Sequence, residues 1–304
     1  MKKLILASLI TGSNLFGNMY NLKPLHITKD ITCVIGDFNP PKRSNKGFVS
    51  NMCYVNMGDS LVVLDTGPTY KFAQEFYNLM KKEYPTKKVQ AVILSNYHDD
   101  RVQGASFFKE KGAKIIGYKT INDDMKNNPD KFLRMKMMFS KEILKDTKII
   151  NADTLVENRY KIKGSKKTLE ILKLSPVSEE SSDIVVYSKD DSFLFTGNII
   201  FNGRMLNYTK NSNIDGWIEA LEKIENIGAK YILGGHGKEY DKNSYKASLE
   251  YLKILRKTVK SSYENDTDIV DIKIPINSLS DIKYYGQLNN NNINNYYNQL
   301  EWAE

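Results

Sequence analysis

The sequence predicts an α/β fold of four layers, an αβ/βα sandwich: two sheets face to face with helices outside. Three observations predict it. Apolar strand-like runs alternate with amphipathic helical segments. That alternation occurs twice, and the two halves resemble each other in order. The chain has 304 residues and 41% apolar content, with 19 Tyr and 12 Phe, enough to fill a sizeable core.

The elements follow in order. The start, 1-MKKLILASLITGSNLFG-17, has two lysines, an apolar stretch and small residues near its end. That is the layout of a secretory signal peptide, taken here as residues 1–18, with the mature chain from 19 to 304 in the periplasm. The other reading of this stretch is a cytosolic N-terminal strand or helix. Strands are expected at 31–36, 48–57 and 61–67, the last two joined by a turn at Gly58-Asp59. Cys33 and Cys53 lie in the first two. In an exported protein a bridge between them is expected, the alternative being two buried thiols.

The segment 70-YKFAQEFYNLMKKEY-84 places Phe72, Phe76, Leu79 and Met80 on one helical face, and Pro85 stops it. A buried strand, 89–95, follows. Next come a helix at about 102–111 ending at Gly112 and a strand at 113–118. Residues 120–165 break the rhythm and read as a helical insertion, with Met135, Met137 and Met138 as core or lid contacts. Strands return at 168–175, 183–188 and 193–197. A helix over 214–228 turns Trp217, Leu221 and Ile224 inward, and Gly228 ends it. Strand 230–235 delivers His236. A long helix spans 242–263. The tail, 286-GQLNNNNINNYYNQLEW-302, is asparagine-rich, yet Leu288, Ile293, Tyr296, Tyr297 and Leu300 permit a docked helix.

The net charge of +8 is spread over lysine-rich segments and reads as solvated surface with weak attraction for anions or an anionic membrane face. No block alternates basic and aromatic residues as a nucleic-acid module does, so no nucleic-acid partner is expected. No stretch of 18 apolar residues occurs, so no transmembrane segment is expected.

The chemistry sits in four loops. They are 61-LVVLDTGPTY-70, 93-ILSNYHDDRVQG-104, 183-DIVVYSKDDSFLFTGNIIFNGR-204 and 230-KYILGGHGKEY-240. In this order and spacing they resemble the metallo-β-lactamase superfamily from about residue 25 to the C-terminus. The resemblance is greatest to exported zinc-hydrolase relatives linked to quinoprotein and sulfur-oxidation systems. It implies the family's sandwich fold and a dinuclear zinc site. The family's first loop reads His-x-His-x-Asp-His; here those positions hold Asn96, His98, Asp100 and Arg101. A later family histidine falls at Glu179, and the bridging Asp after "TG" falls at Asn198. The last family histidine is present as His236.

Two readings stay open. The first is a hydrolase of an ester, thioester or amide bond with at most one zinc ion. Its ligands would come from His98, Asp100, His236 and Glu179, and its catalytic carboxylates would be Asp100 and Asp99, with Asp99 or Glu179 taking a proton. The whole chain holds only three histidines, His26, His98 and His236, so the family's His-rich site cannot be built. The loop 96–101 is also similar to that of the mononuclear zinc β-lactamases, but their cysteine ligand corresponds to Asn198. The second reading is a catalytically impaired or non-catalytic pocket-binding or accessory protein. In it Asn96, Arg101 and Asn198 mark degenerate ligand positions, and Arg101 pairs with Asp100 and Glu179. Blander roles exist as well: His98 as a packed, hydrogen-bonded histidine, Asp100 as a helix cap, and Asp65 as an orienter of loops. Tyr97, Asn202 and Arg204 are further candidates for the pocket lining. The expected partners are a small-molecule ligand or substrate and a periplasmic protein, a redox or sulfur-handling one if it docks on the basic surface.

Overall fold

The computed structural model describes residues 18–275 and 282–303; the expected signal peptide lies outside the described residues, but for Asn18. The first sheet has seven strands in sequential order: β1 (Leu25–Thr28), β2 (Ile31–Val34), β3 (Met52–Asn56), β4 (Ser60–Leu64), β5 (Lys88–Ile93), β6 (Lys114–Tyr118) and β7 (Thr154–Val156). Pairing is antiparallel as far as β4 and parallel from β4 to β7. The second sheet is ordered β12 (Tyr231–Leu233), β11 (Phe193–Phe195), β10 (Val185–Ser188), β9 (Thr168–Leu172) and β8 (Arg159–Lys163).

Three apolar clusters establish the four layers. Val62, Leu64 and Ile93 face Ile171, Val186 and Phe195 between the sheets. Their alternates, Leu61, Val63 and Val92, pack outward under Phe72 and Phe76 of α1 (Tyr70–Glu83) and Phe108 of α3 (Ala105–Glu110). On the far side, α6 (Ile214–Ile227), α7 (Lys246–Glu264) and α8 (Tyr285–Glu301) cover the second sheet through Trp217, Leu252 and Ile293. A strand covered on both faces has no polar alternation, which is why β4 reads as an unbroken apolar run. Gly228 ends α6 in the left-handed region, φ 67°.

The structure corrects the expected insertion. Its helices, α4 (Ile121–Asn127) and α5 (Pro129–Met138), end at Met138, and the rest of the span is irregular chain followed by β7 and all of β8. Within α5, Met135 is fully buried, whereas Met137 is 86% exposed and packs in no core. The helix expected at 102–111 is two pieces, α2 (Asp99–Val102) and α3. They break at Gly104, where a Cβ would lie 2.3 Å from the Thr66 carbonyl oxygen.

The asparagine-rich tail is ordered as α8 and bonds laterally. Asn292 accepts the Tyr208 N–H at 2.8 Å and donates to the Leu206 carbonyl at 3.0 Å. Asn295 donates to the Tyr208 carbonyl at 2.8 Å, and Gln299 to that of Ser212 at 3.0 Å. These amides give the irregular segment 206–212 the partners a neighbouring strand would provide.

Cys33 and Cys53 form a disulfide directly across the β2–β3 pair, and both are buried between the sheets. Among the described residues no helix is long and apolar enough to cross a membrane. The bridge closes a loop with a sequence separation of 20 residues, worth about 3 kcal/mol of chain entropy. Replacing both cysteines by alanine lowers the unfolding free energy by roughly that amount in urea titrations.

Candidate functional site

The candidate residues gather where β4, β5, β11 and β12 end. Asp65 follows β4 directly, in the left-handed region at φ 59°, a conformation Asp tolerates better than most side chains. Its Oδ1 accepts the Ser95 N–H at 2.7 Å, and its Oδ2 accepts the Ser95 hydroxyl at 2.7 Å. The same Oδ2 accepts Arg101 Nη1 at 2.5 Å. Asp65 thus ties the ends of β4 and β5 together, the loop-orienting role expected of it.

Arg101 is the largest charged group in the interior, with no solvent exposure. Its Nη2 donates to Asn198 Oδ1, and its backbone carbonyl accepts both the Thr66 N–H and hydroxyl, at 2.8 and 2.6 Å. The guanidinium lies against Gly235, where a Cβ would fall 2.1 Å from Nη2. The expected partners were Asp100 and Glu179. The structure corrects this: Arg101 bonds Asp65 and Asn198, and the other two carboxylates act on it only through their charge.

His98 has both ring nitrogens engaged. Nε2 lies 3.0 Å from Glu180 Oε1, and Asn198 Nδ2 lies 3.0 Å from Nδ1. Because Arg101 donates to the Asn198 oxygen, the amide nitrogen must face His98. Nδ1 is then an acceptor, and the ring carries its proton on Nε2, toward Glu180. Asn96 fixes the loop: its Oδ1 accepts the His98 N–H at 3.0 Å, and its Nδ2 donates to Asp183 at 3.1 Å.

Two pairs of adjacent carboxylates split in the same way. Asp99 accepts two bonds from Arg134 Nη2, at 2.9 and 2.7 Å, and Glu180 pairs with Lys131 at 2.7 Å. Both cations come from α5, at i and i+3. Their neighbours Asp100 and Glu179 make no such pair. Burial raises the Asp100 pKa, but the Arg101 guanidinium outweighs it and the group is held at about 2. Burial pushes Glu179 up to about 7, against the pull of His98, and its Oε2 has no hydrogen-bond partner. Asp100 lies inside α2 and does not cap it; the cap position is His98, without a side-chain bond.

His236 closes the site. Its Nδ1 lies 2.8 Å from the Val49 carbonyl and must donate, which leaves Nε2 as a lone-pair acceptor. The ring stacks on Phe201 at 4.7 Å. Burial, with Arg204 and Arg101 nearby, lowers its pKa well below 6.5, so it is neutral. Tyr97 is buried, with Lys131 Nζ 4.2 Å from its ring centre and Asn211 Nδ2 3.5 Å from its hydroxyl. His26 lies elsewhere, on β1, bonded to Thr32 at 2.9 Å.

The structure therefore joins His98, Arg101 and Asn198 with Asp65, turns Asp99 toward α5, and leaves Asp100, Glu179 and His236 Nε2 without direct partners. The sequence reading missed Glu180, Lys131, Arg134 and Asn211. The Lys131/Arg134 spacing on one helical face was the available signal. Among the described residues no group of three or more His, Cys, Asp and Glu side chains is arranged to hold a metal ion.

The family pattern described as the metallo-beta-lactamase superfamily matches residues 45–236. The chain belongs to the metallo-β-lactamase superfamily. A metallo-beta-lactamase type 2 from Elizabethkingia meningoseptica is 24% identical over 264 residues, spanning 85% of this chain and 96% of that protein. A solved metallo-beta-lactamase from Pontibacter korlensis superposes with a TM-score of 0.62 at 16% identity, covering 76% of this chain and 99% of that one. The DIM-1 metallo-beta-lactamase does so with a TM-score of 0.61 at 16% identity, covering 76% and 97%. At these identities the structural likeness is one of fold. Members of the superfamily usually bind zinc.

Two predictions follow from the charges. Arg101→Ala strands the Asp65 carboxylate in the interior and costs about 3–5 kcal/mol in urea denaturation. Adding Asp65→Asn to that variant recovers part of the loss, because the buried charge goes with its partner. The second concerns pH. Glu179 has a folded pKa near 7 against an ordinary 4.5, so its contribution is full below about 4.5 and is lost as pH rises through about 7. Glu179→Gln keeps the neutral form, so the melting temperature of the variant gains on wild type as pH rises from about 4.5 to about 7 and keeps that lead above it.

Proposed function

We propose that this chain is a metallo-β-lactamase-fold protein whose metal centre has been replaced by a fixed cation, and that it binds a small ligand without hydrolysing it. The carrying observation is Arg101, unexposed and bonded to Asp65 and Asn198. A dinuclear zinc centre does not fit these residues. A guanidinium, a permanent cation that cannot ligate, fills the space between the Asn198 and Gly235 loops. Asn198 is a poor zinc ligand and spends its oxygen on that cation. Both His98 nitrogens are committed, so of the four candidate ligands His98 is withdrawn.

What supports binding is the set of unsatisfied groups around the cluster. Arg204 Nε and Nη1 and Asn202 Nδ2 are buried without acceptors. Such donors call for an anionic or carbonyl ligand. The N-terminal pattern and the buried Cys33–Cys53 bridge support action in an oxidising compartment, the periplasm for an exported bacterial protein.

The second reading keeps one metal. Asp100 and His236 Nε2 both lack direct partners and favour it, but a catalytic zinc takes three protein ligands, and among the described residues no three His, Asp or Glu side chains are arranged to hold one. Metal content decides between them. Purified mature protein incubated separately with zinc, iron and manganese, then desalted, is expected to retain well under one equivalent. An Asp100→Ala, His236→Ala double variant is expected to match it. One equivalent held by wild type and lost by the variant overturns the proposal and restores a single-metal hydrolase.

A further inference from the structure

Away from the site, a carboxylate of α1 holds the first described residues of the chain. Glu75, partly buried in the middle of that helix, accepts the Met19 N–H on Oε1 at 2.7 Å and the Tyr20 N–H on Oε2 at 3.0 Å. The chain bends at these two residues, so consecutive N–H groups converge on one anion.

Tyr20 fixes the place of this contact. Its hydroxyl lies 2.8 Å from that of Thr69, which caps α1 by accepting the Phe72 N–H at 3.0 Å. The same hydroxyl lies 3.3 Å from the Lys46 carbonyl oxygen. The Tyr20 ring meets Phe72 edge-on, with ring centres 5.1 Å apart, and Leu22 packs against the same apolar cluster. Asn18, one residue earlier, is exposed. The folded body thus takes hold of the chain at Met19, where the expected leader, 1–18, ends.

Two peptide N–H groups bring Glu75 hydrogen bonds but no formal charge. Cutting the leader changes this. Water adds across a peptide bond: the new carboxylate departs with the leader, and the new amine stays on the mature chain, mostly protonated at neutral pH. If Met19 comes first, the nitrogen at 2.7 Å becomes that ammonium. If Asn18 comes first, the ammonium lies one residue before it. Either start sets a positive charge beside the carboxylate, and charge-assisted hydrogen bonds are the stronger kind.

On the export reading given above, we propose that Glu75 is the seat of the mature N-terminus. Removal of the leader supplies the cation that locks residues 18–22 onto α1. The metal site plays no part in this.

Intact mass of the exported protein gives its first residue, expected to be Asn18 or Met19. A recombinant mature chain with that start is expected to melt about 2 °C above the same chain selectively acetylated at its α-amine, which restores an uncharged amide. In Glu75→Gln the free and acetylated forms are expected to melt together. The wild-type comparison stands even if that variant fails to fold. A retained leader overturns the export reading and the seat with it. Any other first residue carries the ammonium away from Glu75 and overturns the seat. Equal melting of free and acetylated wild type, or a gap that survives Glu75→Gln, overturns the seat alone and leaves export standing.

Discussion

The buried pair between Arg101 and Asp65 is the constraint on which the rest of the site depends. Neither group has any solvent exposure, so each is tolerable only because of the other. Through it the ends of β4 and β5 share one carboxylate, with Ser95 donating from both backbone and hydroxyl. The guanidinium then sets the Asn198 amide, the amide sets the His98 tautomer, and His98 hands its proton side to Glu180. A single fixed cation therefore orients four loops in series. Gly235 and Gly197 are part of the same arrangement, since a Cβ at either would collide with Arg101 or Ser95.

The helix α5 acts from outside on the same loops. It contributes Lys131 to Glu180 and Arg134 to Asp99, the outward members of the two carboxylate pairs. Arg134 is half exposed, so its bond is worth less than its geometry suggests. Glu180 is nearly unexposed and held from two sides, by His98 and Lys131, which makes it the stronger anchor. The inward members, Asp100 and Glu179, have no such cation bonded to them among the described residues.

Much of the fold was legible because the helices and central strands obey simple periods. The face of α1 and the unbroken apolar run of β4 both follow from burial on known sides. β7 and β8 were lost because they are short and lie at sheet edges. In β8, Arg159, Lys161 and Lys163 are exposed, as befits an edge strand that must not pair further, and this hides a strand among lysines. At the site, positions were legible and partners were not. Which of Glu179 and Glu180 meets His98 turns on one residue of loop geometry. Arg101 finds Asp65 36 residues away, a contact no local pattern encodes.

The amide ladder of α8 gives its asparagine run something like a reading frame. Asn292, Asn295 and Gln299 hold the segment 206–212, which carries Asn211 to within 3.5 Å of the Tyr97 hydroxyl. Their spacing keeps them on one side of the helix. Exchanging an exposed neighbour leaves that side intact. Inserting or deleting one residue turns every amide beyond it by about 100° and detaches the loop. A stretch that looks like compositional drift thus tolerates changes of letter far better than changes of length.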